Sequence, residues 1–199
     1  MTLDQRESFG RHAFGVTLFF AFGLVGLSLP DVDLALYWLR HFGLVEHRSA
    51  LTHSALLPLF VFLAAHARAG RPGTLAADRA LPLRLLALGL CLSVAVHLCF
   101  DLFPRGWQGY ARVHVPLYGW LGPWLSKAWL FGSAVACAHL SARLLRNTGE
   151  AFLCCLGLML WFGLHAAREP RAAWLVPLAL LPAAFLGFAL PRPAVRADR

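Results

Sequence analysis

Six apolar runs of nearly bilayer-spanning length divide this chain, at about residues 13–29, 51–67, 81–103, 124–146, 151–167 and 173–190. A membrane-crossing helix needs about 20 mostly apolar residues, with a range of roughly 17–25, so each run is a candidate span. The first, second and fifth sit at the short end. Composition agrees: 59% of the 199 residues are hydrophobic, 14% are charged and the mean hydropathy is +0.62. Soluble domains are about 45–50% apolar and about 25% charged. The expected fold is therefore all-α, a polytopic integral membrane protein with about six transmembrane helices in one bundle. No internal repeat or low-complexity tract breaks the chain, so residues 1–199 are read as a single membrane domain. Arg6 and Arg11 precede the first run as in a signal peptide, but that run ends in GLSLPDVD with no small-x-small cleavage site. An uncleaved first helix is expected.

The formal charge of +8 comes from arginines scattered between apolar runs. That is the pattern of loop charges that orient helices, not of a basic groove, and no nucleic-acid partner is expected. Eleven of the 18 Lys and Arg residues, Arg84 among them, fall on the N-terminal side of the expected spans and seven on the other. The positive-inside tendency then puts the N-terminus in the cytoplasm. Five cysteines all lie within apolar runs with no C-x-x-C pair, as buried, inert thiols do.

Three polar phrases interrupt this apolar background. Asp31 and Asp33 appear in PDVD where the first run ends; His47, Arg48 and His53 appear in HRSALTHS at the start of the second; His97 and Asp101 close the third in HLCFD. Counting spans places all three phrases at one membrane face, because the first run leaves there, the second starts there and the third returns. Carboxylates at a membrane boundary are costly to bury unless paired or metal-bound. Asp and His are also the oxygen and nitrogen donors that zinc and similar ions take. Asp31, Asp33, His47, His53, His97 and Asp101 are therefore the candidate metal ligands, for one or two divalent ions of zinc type. His97 and Asp101, spaced i, i+4, share a helix face. One of the two N-terminal aspartates can instead serve only as a helix cap or turn residue. Thr52 or Ser54 can cap the second helix. Asp31 or Asp101 can act as proton acceptor, and Arg48 and His114 are candidate substrate contacts.

Tyr37, Trp38, Trp107, Tyr110, Tyr118, Trp120, Trp124 and Trp174 gather on the same side. This is either a lopsided aromatic belt or a groove for an amphipathic substrate, with Arg48, Arg105 and Arg112 available for a phosphate. Leu34–Leu44 reads as a short interfacial helix, and the Gly- and Pro-rich stretch 104–123 as an irregular loop covering the site.

PDVD, HRSALTHS and HLCFD, in this order and spacing, resemble the bacterial YdjM-like family of inner-membrane-bound metal-dependent hydrolases, also described as LexA-binding. The likeness covers roughly residues 28–105, leaving the helices at about 124–190 outside it. Leu34 and Ser49 stand where the family often has His and Gly. The resemblance implies an inner-membrane location, the six metal positions named above and a metal-dependent hydrolase; an interfacial site flanked by Trp and Arg, with membrane lipids as its surroundings, suits a phosphoester or lipid-like substrate. The competing expectation is a non-catalytic, metal-stabilised membrane scaffold or partner-binding protein. A closed site of four protein ligands would mark the scaffold, and an open position the enzyme.

Overall fold

A computed structural model of the chain describes residues 3–36, 46–68, 75–102, 111–168, 181–182 and 185–187. Among these residues the helices run, in order, α1 (Leu3–Ser28), α2 (Val32–Ala35), α3 (Leu56–Arg68), α4 (Leu75–Asp101), α5 (Pro123–Leu144) and α6 (Thr148–Arg168). Two very short strands, β1 (His114–Val115) and β2 (Gly119–Trp120), pair antiparallel between α4 and α5, with His114 opposite Trp120. The protein is thus mostly helical, as expected.

Helix α4 is the axis of the bundle. It packs against α1, α3, α5 and α6, and its residues from Arg84 to Phe100 are almost continuously buried. A helix that is apolar all round must be enclosed in this way. Two glycines let α1 approach it closely. A β-carbon at Gly89 would lie 2.1 Å from the Phe19 carbonyl oxygen, and one at Gly26 would lie 2.0 Å from Ser93 Oγ. Any larger residue at either point would push the helices apart and, with them, the polar segments at their ends.

The outer helices turn large apolar side chains outward. Phe9 and Phe14 on α1, Phe60 on α3, Phe131 on α5, and Phe152 and Met159 on α6 are all exposed. Among the described residues two helices are long and apolar enough to cross a membrane, Glu7–Ser28 and Arg79–Asp101; Leu56–Arg68 and Thr148–Leu164 are apolar but shorter. Six full spans are therefore not what the helix lengths give. Residues 51–55 are spent on a polar turn, which leaves α3 with 13 residues, roughly 20 Å of helix against a hydrocarbon core of about 30 Å. The sixth run lies largely outside the described residues, as do most of the expected interfacial helix (only α2 and its end at Leu36 are described) and Trp107, Tyr110, Arg105 and Trp174.

Arg84 corrects the charge reading. It is not a loop charge: it is buried in α4, pairs with Glu150 at the start of α6 and donates to the Leu144 carbonyl at 3.1 Å. Glu150 also accepts from the Arg146 backbone N–H at 2.9 Å. This cluster locks the α5–α6 connection onto α4, roughly 25 Å along that helix from Asp101.

Candidate metal centre

Each polar phrase reaches the same end of the bundle by its own local route. Helix α1 stops at Ser28, and the following turn is closed by the Val32 N–H on the Leu29 carbonyl. Asp31 occupies the N-cap position of α2 but makes no side-chain capping bond, so its carboxylate is not spent on the helix. Ser54, not Thr52, serves the start of α3, accepting from the Leu56 N–H at 3.2 Å. Between them the segment 48–50 is held from outside. The Ala50 N–H donates to the His114 carbonyl at 2.7 Å, and the His114 N–H to the Arg48 carbonyl at 2.9 Å. Part of the stretch expected as irregular loop is thus a small hairpin that fastens the HRSALTHS segment in place.

Asp33 lies behind the cluster. Its side chain has no exposed surface and takes donors from four groups: the Ser49 N–H at 3.2 Å, the Thr52 hydroxyl at 2.9 Å, and the Nδ1 atoms of His47 and His53, both at 3.3 Å. Burial alone would raise its pKa. Hydrogen bonds from His47, His53 and Thr52, with the His53 charge, outweigh burial and hold the carboxyl well below the usual carboxylate range. With its oxygens so engaged, Asp33 orients the imidazoles instead of facing the other ligands; a carboxylate behind a ligating histidine commonly does this. Thr52, read from sequence only as a possible cap, belongs to this support.

In front of Asp33 the donor atoms converge. His97 Nδ1 donates to the Leu27 carbonyl in the last turn of α1 at 2.7 Å, which leaves the lone pair of its neutral ring on Nε2. The Nδ1 side of His53 faces Asp33 and, at 3.1 Å, the Thr52 hydroxyl, so its Nε2 is the atom left to coordinate. His53 Nε2 lies 3.1 Å and His97 Nε2 lies 3.3 Å from Asp101 Oδ2, and both lie 3.8 Å from Asp31 Oδ1. The His53–Asp101 approach is short enough for a hydrogen bond but not aligned as one; His53 Nε2 and Asp101 Oδ2 are both buried without a hydrogen-bond partner among the described residues. Leaving buried polar atoms in that condition costs about 1–3 kcal/mol each. Burial lowers the His53 pKa, but the close Asp101 and Asp33 carboxylates more than reverse this and raise it to about 9.

Two groups able to hold a metal ion result, sharing His53: Asp31 with His47 and His53, and His53 with His97 and Asp101. Within each, one donor atom per residue lies within 4.8 Å of the others. Five of the six expected ligands are brought together, and Asp33 is set behind them.

Arg48 and His114 take different places. Arg48 adopts a left-handed backbone (φ 61°) and its Nε donates to Asp101 Oδ1 at 3.2 Å. It therefore binds the outer oxygen of a candidate ligand. His47, Arg48, Arg112 and Trp120 line a cavity of about 360 Å³ beside the centre. His114 is buried behind that wall, its ring edge-on to Trp120 at 5.3 Å, and it does not line the cavity. No protein family, curated protein or solved structure matches this chain.

Proposed function

We propose that this chain is an integral membrane protein whose His/Asp centre holds zinc or a zinc-like divalent ion at the membrane interface and uses it for hydrolysis, as the likeness to the YdjM-like family implies. One observation carries the reading. Buried His53 Nε2 and His97 Nε2 face Asp101 Oδ2 at 3.1 and 3.3 Å with their opposite ring nitrogens already anchored. Ligand atoms about 2.0–2.1 Å from a tetrahedral zinc lie about 3.3 Å from one another. Imidazole and carboxylate together also suit zinc better than magnesium or calcium.

Such an ion, when bound, supplies Lewis acidity and an acidified water. The chain's own residues supply the rest. Asp33 and Leu27 fix the imidazoles, Arg48 steadies Asp101, and Asp31, with its side chain 43% exposed, is the carboxylate placed to exchange a proton with solvent. The cavity at His47 favours the hydrolase over the closed scaffold site. The outward-facing phenylalanines and leucines of α1, α3, α5 and α6 support the membrane setting, since large apolar side chains turned out of a bundle suit contact with lipid. The exposed tip of the hairpin, Leu117 and Tyr118, and the exposed Trp124 at the start of α5 suit the headgroup layer on the site's side. A cytoplasmic N-terminus, with the centre on the opposite face of a bacterial inner membrane, completes the reading.

Elemental analysis of the protein purified in mild detergent tests it. The expected result is one or two zinc per chain in the wild type and loss of metal in a folded His97→Ala variant. Wild-type protein that takes up no metal on reconstitution refutes it.

A further inference from the structure

We propose that the cavity between the Arg48 turn and the β1–β2 hairpin is the substrate's anion subsite, and that it takes the phosphate of a phosphate ester. The inference rests on the hydrolase reading and names its substrate class. Three observations carry it. Arg48 and Arg112 both line the cavity with His47 at its edge, so two guanidinium groups stand beside a candidate ligand of the metal. Arg112 is exposed and, among the described residues, pairs with no carboxylate. A positive group left without a counter-ion next to a catalytic centre is what an anionic substrate completes.

The second observation is the conformation of Arg48. A left-handed backbone at a non-glycine residue is held only where the surroundings over-determine it. Here the Arg48 carbonyl accepts from the His114 N–H, and two residues on the Ala50 N–H donates to the His114 carbonyl, which fixes the turn. These bonds turn the side chain so that Nε is taken by Asp101, while its terminal amino groups have no partner among the described residues. Arg48 is thereby a bridge between a metal-binding carboxylate and the cavity, and a planar guanidinium presents paired N–H donors that match two phosphate oxygens.

The third is the cavity's size and wall. About 360 Å³ is at the small end of ligand pockets and of the size of a headgroup. Trp120 forms its apolar side, in the same hairpin as the exposed Leu117 and Tyr118. A phosphate held at the arginines would leave the organic part of the ester against this aromatic edge.

The test uses the full-length, zinc-loaded protein in detergent and inorganic phosphate as the probe, followed by calorimetry and ³¹P NMR. Saturable binding is expected, weakened at least about tenfold in Arg112→Ala, abolished in Arg112→Glu and largely kept in Arg112→Lys, with zinc content and helicity unchanged in all three. Competition then locates the phosphate's source. Displacement by micellar phosphatidate identifies a lipid headgroup, and displacement only by a soluble aryl phosphate identifies a soluble ester; both support the subsite. Zinc-loaded wild type that ignores phosphate, an Arg112→Glu variant that binds it normally, or acetate competing as well as phosphate overturns the proposal. A protein that takes no metal fails one step earlier, at the hydrolase reading, so the two failures are separate.

Discussion

Asp33→Asn is the substitution that best separates a supporting carboxylate from a ligand. The wild-type side chain is fully buried and receives the Ser49 N–H, the Thr52 hydroxyl and the Nδ1 groups of His47 and His53. Asparagine keeps one acceptor oxygen and replaces the other with an NH₂ group that faces donors. With the NH₂ in the place of Oδ1 the His47 bond is lost, since the other three contacts share Oδ2, and the remainder no longer have a charged partner. Hydrogen bonds to a charged group are worth about 1.5–3 kcal/mol each, so the folded state should lose at least about 1.5–3 kcal/mol. The imidazoles would also lose the carboxylate that sets their tautomer, which lowers metal affinity about 10–100-fold without abolishing it. Thermal unfolding followed by circular dichroism, and zinc retention against a graded chelator, measure the two effects. Asp31→Asn is the control: its carboxylate faces His53 and His97 Nε2 at 3.8 Å and accepts no hydrogen bond of its own among the described residues, so it should cost metal and little stability. If Asp33→Asn melts like wild type and binds zinc as well, Asp33 does not position the histidines. If it alone eliminates metal while Asp31→Asn retains it, Asp33 is a ligand and the arrangement derived above is wrong.

Other consequences can be checked independently. Because His53 holds its proton up to about pH 9, zinc must displace that proton; apparent zinc affinity should rise about tenfold per pH unit from 7 to 9 and level off above, and a flat profile in a chelator competition would contradict this. On a cysteine-free background, Glu46→Cys and Thr74→Cys should react with an impermeant thiol reagent from opposite sides of the membrane, since position 46 adjoins His47 at the site and position 74 precedes α4, whose far end carries His97 and Asp101; labelling from one side would refute the spanning arrangement. Glu150→Gln should destabilise by about 3–5 kcal/mol by stranding Arg84, whereas Arg84→Met with Glu150→Met should recover most of that loss, as read from unfolding in detergent.

How much of this was legible in the chain itself depends on the range of the interaction concerned. The helices were legible because apolar runs are a local property: the runs at 124–146 and 151–167 reappear as α5 and α6 within three residues, while those at 13–29 and 81–103 lie in α1 and α4, which begin ten and six residues earlier. The meeting of PDVD, HRSALTHS and HLCFD at one end was also legible, since helices that alternate in direction bring their first exit, second entrance and third exit together. The partition of roles was not. Nothing in the spacing of Asp31 and Asp33 distinguishes the carboxylate turned toward Nε2 of two histidines from the one turned toward Nδ1; that depends on a two-residue rotation through α2 and on where Thr52 and Ser49 arrive from the next segment. Arg84 looks like any loop arginine until Glu150, 66 positions later, is folded against it. The tie between His97 and the Leu27 carbonyl spans 70 positions and exists only because glycines let α1 and α4 come close. Sequence alone determined which donors are present and which end of the bundle they share, because periodicity and span parity need only neighbours along the chain. Tertiary structure decided which donors face one another, because tautomer, burial and the direction of a carboxylate are set by partners that only packing brings near.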